Sequence, residues 1–113
     1  MVKIALYCRV SSREQAINGF GIDDQERRCR EYIDIYYEDQ GYELQLFREE
    51  GVSAKNIERP ELQKVIELIR KRKIDVLVVY TYDRLTRRLK DFINLLELMQ
   101  AKAVVLDTVK EKF

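Results

Sequence analysis

The sequence predicts an α/β fold, with a central, mainly parallel sheet of four or more strands and helices on both faces. Short runs dense in apolar and β-branched residues, the mark of strands covered on both sides, alternate with longer segments whose apolar residues recur at helical spacing. Elements in that order build parallel sheets through right-handed crossovers. The polar residues suited to chemistry gather directly after the strand runs, at the edge where open α/β sheets hold their ligands.

The first run, "VKIALYCRV" at residues 2–10, reads as a strand buried on both faces. A loop carrying Asn18, Gly19 and Gly21 follows, and then Ile22, Cys29, Tyr32, Ile33, Tyr36 and Tyr37 fall on one helical face. That helix should end near Gly41, because glycine takes the left-handed conformation that closes helices at little steric cost. Residues 43–48, "ELQLFR", suggest a second strand, and after a loop over 51–56 Pro60 stands where the first turn of a helix tolerates proline. The apolar stripe of this second helix is Leu62, Val65, Ile66 and Ile69. "DVLVVYT" (75–81) is short and nearly all apolar, as expected of a central parallel strand. Leu89, Phe92, Ile93, Leu96 and Met99 then mark a third helix, and "AVVLD" (103–107) a fourth strand.

At 113 residues the chain has room for one hydrophobic core, and we expect a single domain over 1–113. A net charge of +1 gives no vote for an autonomous nucleic-acid-binding domain, although cations cluster in "RKRK" (70–73) and "DRLTRRLK" (83–90). The first cluster is explained by a helix C-terminus, where cations meet unpaired carbonyls. Cys8 and Cys29 read as small buried hydrophobes of a reducing compartment, with neither a disulfide nor a zinc site expected. "IALYC" is too short for a signal peptide or a membrane span, so no membrane partner is expected and the location expected is cytoplasmic.

Histidine is absent, which excludes a Ser-His-Asp or Cys-His arrangement from this chain's residues. What the strand ends offer instead is arginine and hydroxyl: Arg9 and Ser11 after the first strand, Ser53 and Arg59 after the second, Asp83, Arg84 and Arg87 after the third. Arginine stays charged at physiological pH, and its planar fork makes paired hydrogen bonds to phosphate oxygens. In phosphoryl transfer, fixed cations stabilise charge spread over the non-bridging oxygens and favour deprotonation of a nearby serine. Strand alternation puts Tyr7, Arg9 and Ser11 on one side and turns Ser12 away.

Plainer roles exist for the same residues. Asp83 and Arg87 are spaced as an i, i+4 helical ion pair, the serines suit turns and caps, and Arg59 could be solvated. "GFGIDD" lacks the third glycine of a dinucleotide fingerprint. Asp23/Asp24 suit a helix N-terminus and Glu49/Glu50 a solvated loop. Tyr32, Tyr36 and Tyr37 suit an amphipathic packing face.

Four separated segments, "YCRVSSREQ", "GIDDQ", "EEGVSAKNIERPEL" and "YDRLTR", match in order and spacing a known pattern over nearly the whole chain. With them the chain resembles the catalytic domain of serine recombinases, the resolvase/invertase superfamily, and most of all its large serine recombinase branch. The resemblance implies a flavodoxin-like, resolvase-like sheet and a site-specific DNA recombinase that cleaves and rejoins DNA through a 5′-phosphoserine. It implies Ser11 as nucleophile, with Arg9, Arg84 and Arg87 on the scissile phosphate and Asp83 in proton transfer or orienting an arginine. Tyr7, Gln15, Gln25, Ser53 and Arg59 would order the site or bind DNA phosphate. No cofactor is implied. Double-stranded DNA and self-association to a dimer or tetramer are implied for the full-length protein. The family's domain continues into a long helix and DNA-binding domains, so residues 1–113 alone are expected to fold without recombining DNA. Two other readings stay open on the residues themselves: a non-catalytic phosphate- or nucleotide-binding α/β module, and an interaction domain whose charges are structural.

Overall fold

In the computed structural model, residues 1–11, 21–51 and 59–111 are described. Strand β1 (Val2–Val10) leads to helix α1 (Ile22–Tyr37), strand β2 (Tyr42–Glu50), helix α2 (Pro60–Arg70) and strand β3 (Val76–Val79). A single 3₁₀ turn (Tyr82–Arg84), helix α3 (Leu89–Ala101) and strand β4 (Val105–Thr108) complete it. The four strands form one sheet in the order β2-β1-β3-β4, every pair parallel.

Alternation along β1 divides the core in two. Ile4, Leu6, Cys8 and Val10 pack with Ile22, Cys29 and Ile33 of α1 on one face. Ala5 and Tyr7 pack on the other with Leu62, Val65, Ile66 and Ile69 of α2 and Leu95 and Met99 of α3. Each such aliphatic chain, fully buried, contributes about 1.5–3 kcal/mol. Because β2 and β3 lie on opposite sides of β1, the chain leaves β1 in one direction and β3 in the other. That divergence makes the carboxyl ends of β1 and β3 the topological switch point of the sheet, the place at which sheets of this kind bind ligands.

Helices α2 and α3 close alike. Lys73 N–H bonds Leu68 O and Val104 N–H bonds Met99 O, both at 2.8 Å, with Arg72 and Ala103 in the left-handed region at φ 55°. Gly41, at φ 75°, has the same backbone hand after α1. Cys8 and Cys29 are buried free thiols, and their mutual contact together with burial pushes the Cys8 thiol up. None of the helices described is long and apolar enough to cross a membrane.

Three expectations need correction. The core face of α3 is Leu95 and Met99, while Leu89 is 71% and Ile93 44% exposed; α3 packs beside β4, an edge strand, which leaves it only a narrow seam to cover. Tyr36 is exposed and Tyr32 half-buried; Tyr37 does pack against the core on the α1 side, but the hydroxyls of Tyr32 and Tyr37 also donate to the two oxygens of Asp107 on β4 at 2.7 and 2.6 Å. Burial and that hydrogen bond push the Tyr37 phenol up. Glu49 is no part of a solvated loop: it lies within β2, opposite Arg9, and is 4% exposed.

Candidate active site

β1 outruns β3 on its inner side. Pairing with β3 stops at Tyr7 opposite Val79, whereas pairing with β2 runs to Val10 opposite Glu50. Arg9 therefore carries backbone groups that no strand reaches on the β3 side. Gln25, fully buried in the first turns of α1, fills that place. Its Oε1 accepts the Arg9 N–H at 3.0 Å, and its Nε2 donates to the Arg9 carbonyl at 3.1 Å. One side-chain amide thus replaces both bonds a neighbouring strand would make.

The Arg9 side chain points to the α2 face with Tyr7. Its Nε donates to the Arg84 carbonyl at 3.2 Å, and Nη1 of Arg59 donates to the same oxygen at 2.9 Å. Arg84 belongs to the 3₁₀ turn that follows β3, and Arg59 is the residue before Pro60 at the start of α2. Three strand ends therefore meet at one carbonyl. Arg9 is 0%, Arg59 1% and Arg84 9% exposed, so Arg59 is neither solvated nor peripheral. Its guanidinium carbon lies 5.6 Å from the centre of the Tyr7 ring, a cation–π distance. Burial lowers the Arg59 pKa and pushes the Tyr7 phenol up.

Glu49 is the residue that sequence reasoning misplaced. Its Oε1 accepts the Leu62 N–H at 2.7 Å, supplying α2 with the cap that Arg59, at the N-cap position, does not. The signal was available in strand parity: Phe47 and Glu49 pair with Tyr7 and Arg9. The Tyr7 hydroxyl, Oε2 of Glu49 and Nε and Nη2 of Arg59 are buried with no hydrogen-bond partner among the described residues. Leaving buried guanidinium donors without a partner is costly, and an anion is the chemistry that would satisfy them.

Ser11 stands half-buried one residue beyond β1. Asp83 accepts the Thr81 hydroxyl and lies 4.0 Å from Arg84 Nε. The i, i+4 helical pairing of Asp83 with Arg87 is not formed, because the 3₁₀ turn ends at Arg84 and α3 begins only at Leu89. Arg87 is exposed on the connection between them. Tyr7, Arg9, Gln25, Arg59 and Arg84 are thus in one cluster. Ser12, Gln15 and Ser53 lie outside the described residues.

Comparison with known proteins gives a consistent result. The family described as "Resolvase, N terminal domain" matches residues 4–113. A protein of Bacillus subtilis (strain 168) named "Putative DNA recombinase" is 36% identical over 86 residues, which are 76% of this chain and 16% of that protein. The chain therefore spans only a small part of that relative's length. Among solved structures, the N-terminal catalytic domain of TP901-1 integrase is similar with a TM-score of 0.80 and 31% identity, over 95% of this chain and 77% of that one. A resolvase family site-specific recombinase from Streptococcus pneumoniae is similar at TM-score 0.74 and 28% identity, over 96% and 72%.

Proposed function

The chain belongs to the family of resolvase N-terminal domains, the catalytic domains of serine recombinases, and from that premise we propose that it cleaves and rejoins double-stranded DNA at a specific site through Ser11. The observation that carries this reading is the convergence of Arg9 and Arg59 on the Arg84 carbonyl, beside the strand end that bears Ser11. The Ser11 oxygen attacks a backbone phosphorus and its proton leaves. The bond from phosphorus to the 3′ oxygen breaks, and that oxygen takes up a proton to become a free 3′-hydroxyl. The DNA 5′ phosphate is now esterified to Ser11. Attack by a 3′-hydroxyl on this ester reverses the step and rejoins DNA with no net loss of phosphoester bonds.

Each residue has a role in this scheme. Arg9, Arg59, Arg84 and Arg87 neutralise the charge that grows on the non-bridging oxygens, where fixed donors act most strongly because water is excluded. Gln25 and Glu49 are positioning residues, the first for Arg9 and the second for the start of α2 and hence Arg59. Tyr7 supports Arg59 through its ring. Asp83 orients Arg84 or carries the Ser11 proton. Gln15 and Ser53 complete the phosphate site. The reading needs no cofactor, since arginine supplies the positive charge.

Residues 1–113 form the catalytic unit in this proposal, and DNA-site recognition and assembly into dimers or tetramers belong to the full-length protein. The test is covalent trapping on a nicked substrate that carries the recombination site. Wild-type full-length protein should yield a protein–DNA adduct and Ser11→Ala none; an adduct that persists in Ser11→Ala would exclude Ser11 as nucleophile.

A further inference from the structure

Arg27, Arg30, Arg70 and Arg72 are exposed arginines, and each pairs with a carboxylate of its own helix or turn. The segment Arg87–Lys90 differs. Arg87, Arg88 and Lys90 are all exposed, and none forms an ion pair among the described residues. Asp91, the acidic residue in the first turn of α3, is half-buried and forms no ion pair with them. Three side-chain cations are therefore added to the positive end of α3. This is where a helix on its own account would favour acids, so the arrangement costs local stability in the absence of an anion.

A concave surface adjoins Arg87 and Arg88, with Lys90 two residues along the chain from Arg88. Between the 3₁₀ turn and α3 lies a cleft of about 160 Å³ lined by Tyr82, Thr86, Arg87, Arg88, Leu89 and Phe92. Tyr82 and Phe92 contribute rings 5.4 Å apart, and Leu89 lies 71% exposed at the rim. An apolar floor with a cationic rim is complementary to a nucleotide unit of a DNA backbone, with the deoxyribose against the rings and the phosphate against the guanidiniums. The cleft is reached from Arg84 along the same connection.

Resting on the recombinase reading above, we propose that this cleft and its rim bind a DNA sugar–phosphate neighbouring the cleaved one, with Arg88 and Lys90 as phosphate contacts outside the reaction centre. The contacts carry no base information, so they hold the strand in register for Ser11 without adding sequence preference.

The test uses the full-length protein and a 30-bp duplex of arbitrary sequence, titrated between 50 and 200 mM salt. Each phosphate contact contributes about 0.9 to the slope of log affinity against log salt. The double variant Arg88→Gln/Lys90→Gln should therefore lower the slope by about 2 and the affinity by about tenfold or more. The control Lys73→Gln/Lys102→Gln removes two exposed lysines at the opposite end of the sheet and should change affinity less than about twofold. Equal effects of the two pairs, or an unchanged slope, would overturn the proposal, and Ser11 adduct formation in the same variants would show that the recombinase reading stands without it. A wild-type full-length protein that neither binds the duplex nor forms the adduct would remove the recombinase reading and this inference together.

Discussion

Gln25 bonds Arg9 through both backbone groups, accepting its N–H at 3.0 Å and donating to its carbonyl at 3.1 Å. The pair ties α1 to the last residues of β1 at the point where β3 has ended. Replacing Gln25 with leucine keeps the volume and strands two buried backbone groups, each costing about 1–3 kcal/mol. We expect Gln25→Leu to lower stability by about 2–4 kcal/mol in urea denaturation, and to lower cleavage by full-length protein even where the variant is fully folded. Cleavage at the wild-type rate by a folded variant would remove Gln25 from the positioning residues.

Glu49 reaches from β2 to the start of α2, where its carboxylate accepts the Leu62 N–H at 2.7 Å. Glutamine keeps an acceptor oxygen and alanine does not. Glu49→Ala should therefore lose about 2–3 kcal/mol, and Glu49→Gln clearly less. Equal losses would assign the stabilisation to the charge beside Arg59 rather than to the cap. Equilibrium denaturation of the two variants side by side decides between them.

Ala103 holds φ at 55° directly after α3, the position that glycine most often fills in helix closures of this kind. A side chain in that region costs about 1 kcal/mol or more, whereas glycine adopts it freely. Ala103→Gly should raise stability by about 0.5–1 kcal/mol, part of the gain being offset by the freer unfolded chain. Thermal unfolding should show a shift of a few degrees upward. A downward shift would mean that the backbone is relaxed around alanine.

Asp75 joins the start of β1 to the turn before β3. Its carboxylate takes Nη1 of Arg72 at 2.7 Å and the Lys3 N–H at 2.8 Å, and these bonds, the Arg72 side chain foremost, hold its pKa below the ordinary carboxylate value. The folded state therefore releases this proton more readily than the unfolded state. Its contribution to stability is present above the unfolded value near pH 4 and is lost as pH falls through the lower folded value. The stability difference between wild type and Asp75→Asn should be constant from pH 5 to 7 and shrink below pH 4. A difference that stays constant to pH 2 would show that Asp75 is not linked to folding through its charge.

Much of the fold was legible in the residues because period and burial go together. The nine residues of β1 read as a strand covered on both faces, and Leu62, Val65, Ile66 and Ile69 read as the buried stripe of α2; all four are buried. The stripe of α3 was misread, since helical spacing names a face and cannot say how much sheet lies beneath it. For the site, arginine clusters after three strand runs were enough to gather Arg9, Arg59 and Arg84 at one edge. Glu49 and the Asp107–tyrosine contact were missed because a carboxylate beside a loop and tyrosines on a helix look solvated or packed until a partner arrives from elsewhere in the chain.

The residues by themselves determine the strand and helix pattern, the choice of arginine and serine over histidine chemistry, and the family. Those properties are local: side-chain type, period and spacing survive without knowledge of what is adjacent. Tertiary structure alone decides that Gln25 completes the hydrogen bonding of Arg9, that Glu49 caps α2, and that Arg9 and Arg59 share the Arg84 carbonyl. Each of these joins groups 13 to 75 residues apart in sequence, and whether a buried charge is satisfied depends on what the fold places within about 3 Å of it.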